Sequence, residues 1–213
     1  VSKSYGNSTG SALYTYNPAP VITNVSLSSG PLVGGSYVTV MGNHLGSGSD
    51  ITTVLFGTYP ATIQPGQTST ELIVRTPAAA VANAYNVTVM STSFGVSVGA
   101  DVYTYNPLPS ITGVTPSTGS VIGNYYLTIE GTGLGNGFDI YNVTVGTTVV
   151  DVISQTASSL VVIAPPSSVS TVVEVATWSA RCGHATANAF TYNPTPVIHA
   201  VIPNEGPLYG GNS

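Results

Sequence analysis

Apolar and polar residues alternate in short runs along the whole chain, and none of these runs has a helical period. In Tyr37-Val-Thr-Val-Met-Gly42, alternation turns Val38 and Val40 to one face and Tyr37 and Thr39 to the other. Tyr126-Leu-Thr-Ile-Glu-Gly131 repeats the pattern, with Leu127 and Ile129 inward and Tyr126 and Thr128 outward. The runs are rich in Val, Ile, Thr and Tyr and are bounded by Gly, Pro, Asn and Ser, which predicts short strands of an antiparallel sandwich. In the first half the predicted strands are 21–27, 36–42, 53–57, 59–64, 70–76, 85–91 and 97–105. The paired glycines Gly34 and Gly35 interrupt the opening strand and predict a bulge or a crossing between sheets there.

The strand pattern is periodic at a longer scale. Tyr-Asn-Pro-x-Pro occurs at Tyr16, Tyr105 and Tyr192, 89 and 87 residues apart. Other matches follow the same offset: Leu45-Gly46 with Leu134-Gly135, Gly48-Ser-Asp-Ile51 with Gly137-Phe-Asp-Ile140, and Gly57 with Gly146. A fixed period means one structural unit copied in tandem. The expected boundaries are 1–16 as the end of a preceding repeat, 17–105 and 106–193 as complete repeats, and 194–213 as the start of another. The two end segments lack the middle strands of a unit, so the chain reads as a window on a longer array. Each junction carries two prolines: Pro18 and Pro20, Pro107 and Pro109, Pro194 and Pro196. Each proline fixes its own φ and holds the preceding residue extended, which makes the junction a stiff spacer. Tyr16, Tyr105 and Tyr192 are expected to pack at these junctions.

Pro20-Val-Ile-Thr-Asn-Val25, Ser29-Gly-Pro-Leu-Val-Gly-Gly35, Val38-Thr-Val-Met-Gly42 and Leu45-Gly46 resemble the opening of an IPT/TIG domain, the immunoglobulin-like fold of plexins and some transcription factors. The second copy gives Pro109-Ser-Ile-Thr-Gly-Val-Thr-Pro116 and Leu127-Thr-Ile-Glu-Gly131, with Ile122-Gly123-Asn124 in place of the paired glycines. Pro196-Val-Ile-His-Ala-Val-Ile-Pro203 and Gly206-Pro-Leu-Tyr-Gly-Gly211 open a third with the full pattern. The resemblance implies an all-β chain of tandem immunoglobulin-like sandwiches, and the stiff proline junctions predict that they form a rod-like array. It says little about function, because the fold serves many.

Composition narrows the functions. Charged residues make up 5% of the 213 residues, against about 25% in ordinary proteins, and the net charge is −5. Lys3, Arg75 and Arg181 are the only cations, which weighs against nucleic acid and against a Rel-type DNA-binding domain. Mean hydropathy is +0.30, yet no apolar run reaches the roughly 18–20 residues of a membrane-spanning helix. Cys182 is the single cysteine, so the chain has no internal disulfide.

Four sequons, at Asn7, Asn24, Asn86 and Asn142, are candidate N-glycosylation sites, while proline blocks the junction asparagines. Asn86 and Asn142 each precede a Val-Thr-Val run that turns the valines inward and the asparagine outward. The bland alternative is that such triplets arise by chance in a chain rich in Asn, Ser and Thr. Asp50 and Asp139 occupy matched positions, where a turn at the start of a strand competes with a calcium ligand. Cys182, in Arg181-Cys-Gly-His184, reads as an idle thiol at a hairpin tip or as a candidate interchain disulfide. One Cys-x-His pair offers too few ligands for structural zinc. His44 and His199 read as surface or packing residues. Thirteen tyrosines against four phenylalanines leave Tyr37, Tyr125, Tyr126 and Tyr141 as contact candidates or as rings half-buried against the sheet. No catalytic residues, no cofactor and no metal are expected.

The expected function is that of a non-enzymatic extracellular structural repeat protein, forming a stiff glycosylated stalk or cell-surface filament. Expected partners are further copies of the repeat in a longer chain, covalent glycans, and other chains through lateral or head-to-tail self-association. The alternatives are an adhesion or receptor ectodomain binding a protein or carbohydrate ligand, and an accessory module of a secreted polysaccharide-active enzyme.

Overall fold

A computed structural model describes residues 10–11, 14–206 and 208–210. The described residues fall into two compact units, one up to Leu108 together with Ala180–Gly183, the other Pro109–Ser179 and from His184 onward. The first contains β1 (Val21–Ser26), β2 (Ser29–Pro31), β3 (Tyr37–Asn43), β4 (Ile51–Phe56), β5 (Tyr59–Pro60), β6 (Thr62–Ile63), β7 (Glu71–Arg75), β8 (Ala84–Ser91) and β9 (Gly95–Asn106). They form two sheets, β1-β3-β7-β6 and β2-β9-β8-β4-β5. The second unit repeats the plan with β10 (Ser110–Thr115), β11 (Thr118–Ser120), β12 (Tyr126–Thr132), β13 (Ile140–Val145), β14 (Thr148–Val149), β15 (Val152–Gln155), β16 (Ser159–Ile163), β17 (Val172–Ser179) and β18 (Gly183–Asn193). Its sheets are β10-β12-β16-β15 and β11-β18-β17-β13-β14.

The alternation in the sequence is the packing in the structure. Val38, Val40, Leu127 and Ile129 are fully buried, while Tyr37 and Tyr126 are exposed on the opposite faces of β3 and β12. Each unit closes its own core. The first gathers Val25, Leu45, Val54, Phe56, Leu72, Val87 and Tyr103, among others, and the second Val114, Leu134, Val143, Leu160, Val175 and Phe190. Bulges recur at matching places: Ile22/Asn24 in β1 with Ile111/Gly113 in β10, and Ile51/Thr53 in β4 with Ile140/Asn142 in β13.

One expectation needs correction. The sandwich is not purely antiparallel, because β2 pairs parallel with β9, and β11 with β18. The crossing between sheets expected at Gly34-Gly35 is present, because β2 and β3 lie in different sheets, and it is the second of two. β1 belongs to one sheet and β2 to the other, so the chain crosses first at Leu27–Ser28, where Leu27 has φ 54°. Gly34 closes the turn after β2 with a bond from its N–H to the Pro31 carbonyl at 2.9 Å, and Gly34 and Gly35, both with positive φ (68° and 89°), carry the chain back to the first sheet. At the second copy Gly123 keeps this conformation, and Asn124, at φ 67°, takes the place of Gly35. Asparagine tolerates the left-handed region, so this departure from the family pattern leaves the turn intact. Gly35 and Asn124 donate equivalent backbone bonds, to Thr76 and Ala164 at 2.9 and 2.8 Å.

Candidate functional site

The tyrosine of Tyr-Asn-Pro-x-Pro seals its own sandwich. Tyr105 and Tyr192 lie almost wholly buried on the last strands β9 and β18. The Tyr105 hydroxyl donates to the Pro77 carbonyl at 2.7 Å, and the Tyr192 hydroxyl to Pro165 at 2.6 Å. Glycine completes the seal: a Cβ on Gly34 would lie 2.3 Å from the Pro77 oxygen, and one on Gly123 2.6 Å from that of Pro165. Burial pushes both phenols up, Tyr192 to about 12 with the neighbouring Tyr125 adding to it. These rings therefore belong to the cores that end at the junctions. A buried aromatic ring gains more from a closed apolar core than from a solvated linker. Tyr16, by contrast, is exposed and meets Tyr14 edge-on, with centroids 4.9 Å apart.

The matched aspartates act as clasps. The Asp50 carboxylate accepts from the Thr92 hydroxyl, from Ser91 Oγ at 2.9 Å and from the Ser93 N–H at 2.8 Å. These bonds, that from Thr92 foremost, hold its carboxyl down at about 2 against the opposing effect of burial. Asp139 accepts from the Asn136 N–H at 2.6 Å and from Ser179 Oγ at 2.5 Å. Each clasp ties the start of the β4 or β13 edge to the end of β8 or β17. Sequence reading found the aspartates and missed their serines, although Ser91 and Ser179 also stand one period apart. Among the described residues no group of three or more His, Cys, Asp or Glu is gathered as a metal site.

The remaining candidates are dispersed. Asn24 on β1 and Asn86 on β8 are exposed, and Asn142 on β13 is half-buried opposite Trp178. The Asn86 Oδ1 accepts from the Asp101 N–H at 2.9 Å, leaving its Nδ2, the atom that carries a glycan, out of that bond. Asn7 lies outside the described residues. Cys182 sits in the turn between β17 and β18 and is 8% exposed. His184 stacks on Trp178, with centroids 4.5 Å apart, and His44 on Phe94 at 6.1 Å. His199 is exposed. Pro18, Pro107, Pro194 and Pro196 are exposed, and Pro20 and Pro109 half-buried. Among the described residues no helix is long and apolar enough to cross a membrane.

Two immunoglobulin-like sandwiches in tandem, each with an opening strand that changes sheets and a final strand sealed by a tyrosine, define the class. The chain belongs to the IPT/TIG domain family, whose sequence model matches residues 20–105 and 109–192. Two similar solved structures are both described as the full extracellular region of plexin A4. One, with domains 1 to 10, has a TM-score of 0.61 at 20% identity and covers 91% of this chain and 17% of that one. The other, with domains 1 to 8, has a TM-score of 0.59 at 19% identity and covers 86% of this chain and 19% of that one. The likeness is one of fold, and the chain spans less than a fifth of either plexin chain.

Proposed function

We propose that the chain is a segment of a non-enzymatic extracellular protein in which IPT/TIG sandwiches in series serve as a stiff, glycan-bearing stalk or surface filament. The observation that carries this reading is the repeated seal of Tyr105 on Pro77 and Tyr192 on Pro165, each followed at once by Asn-Pro-x-Pro. A closed core leads directly into a segment whose prolines restrict its φ angles. The extracellular setting is taken from the plexin ectodomains that share the fold. Exposed Asn24 and Asn86 and half-buried Asn142 supply glycan acceptors on a surface poor in charge.

Secretion from a eukaryotic host tests this reading, with intact mass recorded before and after deglycosylation. A mass above that of the bare chain, with glycans on Asn24, Asn86 or Asn142, supports it; the bare mass overturns the glycan part. Small-angle scattering of the same product reads the stiffness, and a broad distribution of dimensions defeats the stalk. Non-reducing electrophoresis reads an interchain bond through Cys182.

An adhesion or receptor ectodomain is the second reading. It is favoured by the outer faces of the four-stranded sheets, where exposed Tyr37 pairs across strands with Arg75, and exposed Tyr126 with Ile163. Tyrosine and arginine are enriched at interface hot spots. Bead aggregation that is lost on Tyr37→Ser and Tyr126→Ser supports this second reading.

A further inference from the structure

At one end of each sandwich, the hairpin between the fourth and fifth strands faces the segment that leads into the eighth. In the first repeat two tyrosines fill the space. Tyr85 packs on the backbone of Gly57 so closely that a Cβ there would lie 2.5 Å from its ring. Its hydroxyl donates to the Val81 carbonyl at 3.0 Å. Tyr59 lies beside it, with centroids 6.0 Å apart, and its hydroxyl accepts from the Ala80 N–H at 3.3 Å. Tyr85 in turn meets the sealing Tyr105 edge-on at 5.5 Å.

The second repeat keeps the backbone and loses both rings. Val145 pairs with Thr148 as Phe56 pairs with Tyr59. Gly146 donates to Glu174 at 2.7 Å as Gly57 donates to Asn86 at 2.8 Å, and their φ angles are 62° and 63°. Thr148 now stands for Tyr59 and Val173 for Tyr85. The atom nearest to a Cβ on Gly146 is 3.7 Å away, on Val173. A cavity of about 330 Å³ opens, lined by Gly146, Thr148, Pro166, Ser167, Val173 and Tyr192, among others. Tyr192 occupies the position of Tyr105. Val169, the counterpart of Val81, has its carbonyl held by Ser167 Oγ at 2.9 Å.

We propose that this cavity of the second repeat is a binding site for a 4-hydroxyphenyl group. The first repeat shows what the frame accommodates: one phenol ring set edge-on to the sealing tyrosine and a second against the first, with their hydroxyls on backbone groups of the loop that leads into the eighth strand. A ligand ring enters between Val173 and Pro166 and meets Tyr192 as Tyr85 meets Tyr105. Its hydroxyl reaches the Ser167 hydroxyl and the Val169 carbonyl, so an apolar wall binds the ring and a few polar groups orient it. The group is supplied either as a free phenol or as a tyrosine side chain of a partner polypeptide.

Nuclear magnetic resonance titration of the whole chain tests the proposal, with p-cresol, N-acetyl-tyrosinamide, cyclohexanol and glucose as probes. Saturable shifts centred on Gly146, Thr148 and Val173 are expected with p-cresol, with a Kd of about a millimolar for so small a ligand. Contacts from the ring protons to the Val173 methyls are expected in the unmodified chain. Tighter binding of N-acetyl-tyrosinamide than of p-cresol assigns the ring to a partner's tyrosine; binding of p-cresol alone assigns it to a free phenol. Refilling the cavity with Thr148→Tyr and Val173→Tyr abolishes the shifts. The converse pair in the first repeat, Tyr59→Thr and Tyr85→Val, creates a second set at Gly57. Absence of saturable shifts in the unmodified chain overturns the proposal. So do cyclohexanol or glucose binding as well as p-cresol, and shifts that persist in the refilled chain.

Discussion

The two repeats share one backbone plan but place their aromatic rings differently. In the first, Tyr103 stands over Gly30, and a Cβ on that glycine would lie 2.1 Å from its hydroxyl. In the second, Phe190 occupies the position of Tyr103, and Tyr125, which replaces Ser36, stands over Gly119 with its hydroxyl 2.2 Å from the corresponding point. Glycine is retained in both because a phenol crosses its backbone, yet the phenol comes from opposite sides of the sandwich. The two arrangements also differ in their hydrogen bonds. Tyr125 donates to the Ser120 carbonyl at 3.1 Å. The buried Tyr103 hydroxyl makes no well-formed bond among the described residues, although Ser36 and Thr76 lie near it. The two repeats thus keep the space over this glycine filled and differ in the residue that fills it.

The largest expected effect falls on what the repeats share. Gly34→Ala and Gly123→Ala each impose a left-handed alanine and a collision with a proline backbone. Each should cost its own repeat about 3 kcal/mol or more, read from denaturant midpoints of residue-specific signals in the whole chain. A cost confined to one repeat breaks the equivalence of the two seals.

The ring exchange comes next. Ser36→Tyr alone overpacks the first repeat and should cost about 1–3 kcal/mol, whereas Ser36→Tyr with Tyr103→Phe copies the second repeat and should cost less than about 1.5 kcal/mol. Tyr103→Phe alone removes an unpaired buried hydroxyl and should lie within about 0.5 kcal/mol of zero. A double variant worse than Ser36→Tyr alone shows that the two arrangements are not interchangeable.

The smallest effect concerns acid. The folded-state pKa of Asp50 is depressed to about 2 from an ordinary value of 3.8. The clasp therefore contributes fully above the ordinary value, and its contribution is lost as pH falls through about 2. Asp50→Asn should flatten the stability of the first repeat across this window. An unchanged acid profile in that variant removes the clasp as its cause.

Strand faces were legible in the sequence because alternation alone sorts Val38 and Val40 from Tyr37. The period was legible because the turn residues recur with it. The crossing at Leu27–Ser28 was not, since it rests on a leucine at positive φ, which no residue preference signals. The parallel strands β2 and β11 are three residues long, too short to show a period. The burial of Tyr105 was missed because its hydroxyl finds its acceptor 28 residues earlier in the chain. The cavity emerges only when Tyr59 and Tyr85 are set against Thr148 and Val173, a difference that matters once both are known to face the same space.

The parallel pairing has a mechanical consequence. Ser29–Pro31 lies alongside Thr104–Asn106, which joins the beginning of a repeat to its end. The second repeat does the same with Thr118–Ser120 and Thr191–Asn193. A pull on the two ends of a repeat drags these parallel neighbours past one another. Their bonds then bear the load together instead of parting one by one as in a peeled hairpin. Each repeat thus has a shear clasp between its second strand and its last, and single-molecule pulling should find that clasp yielding before the strands behind it.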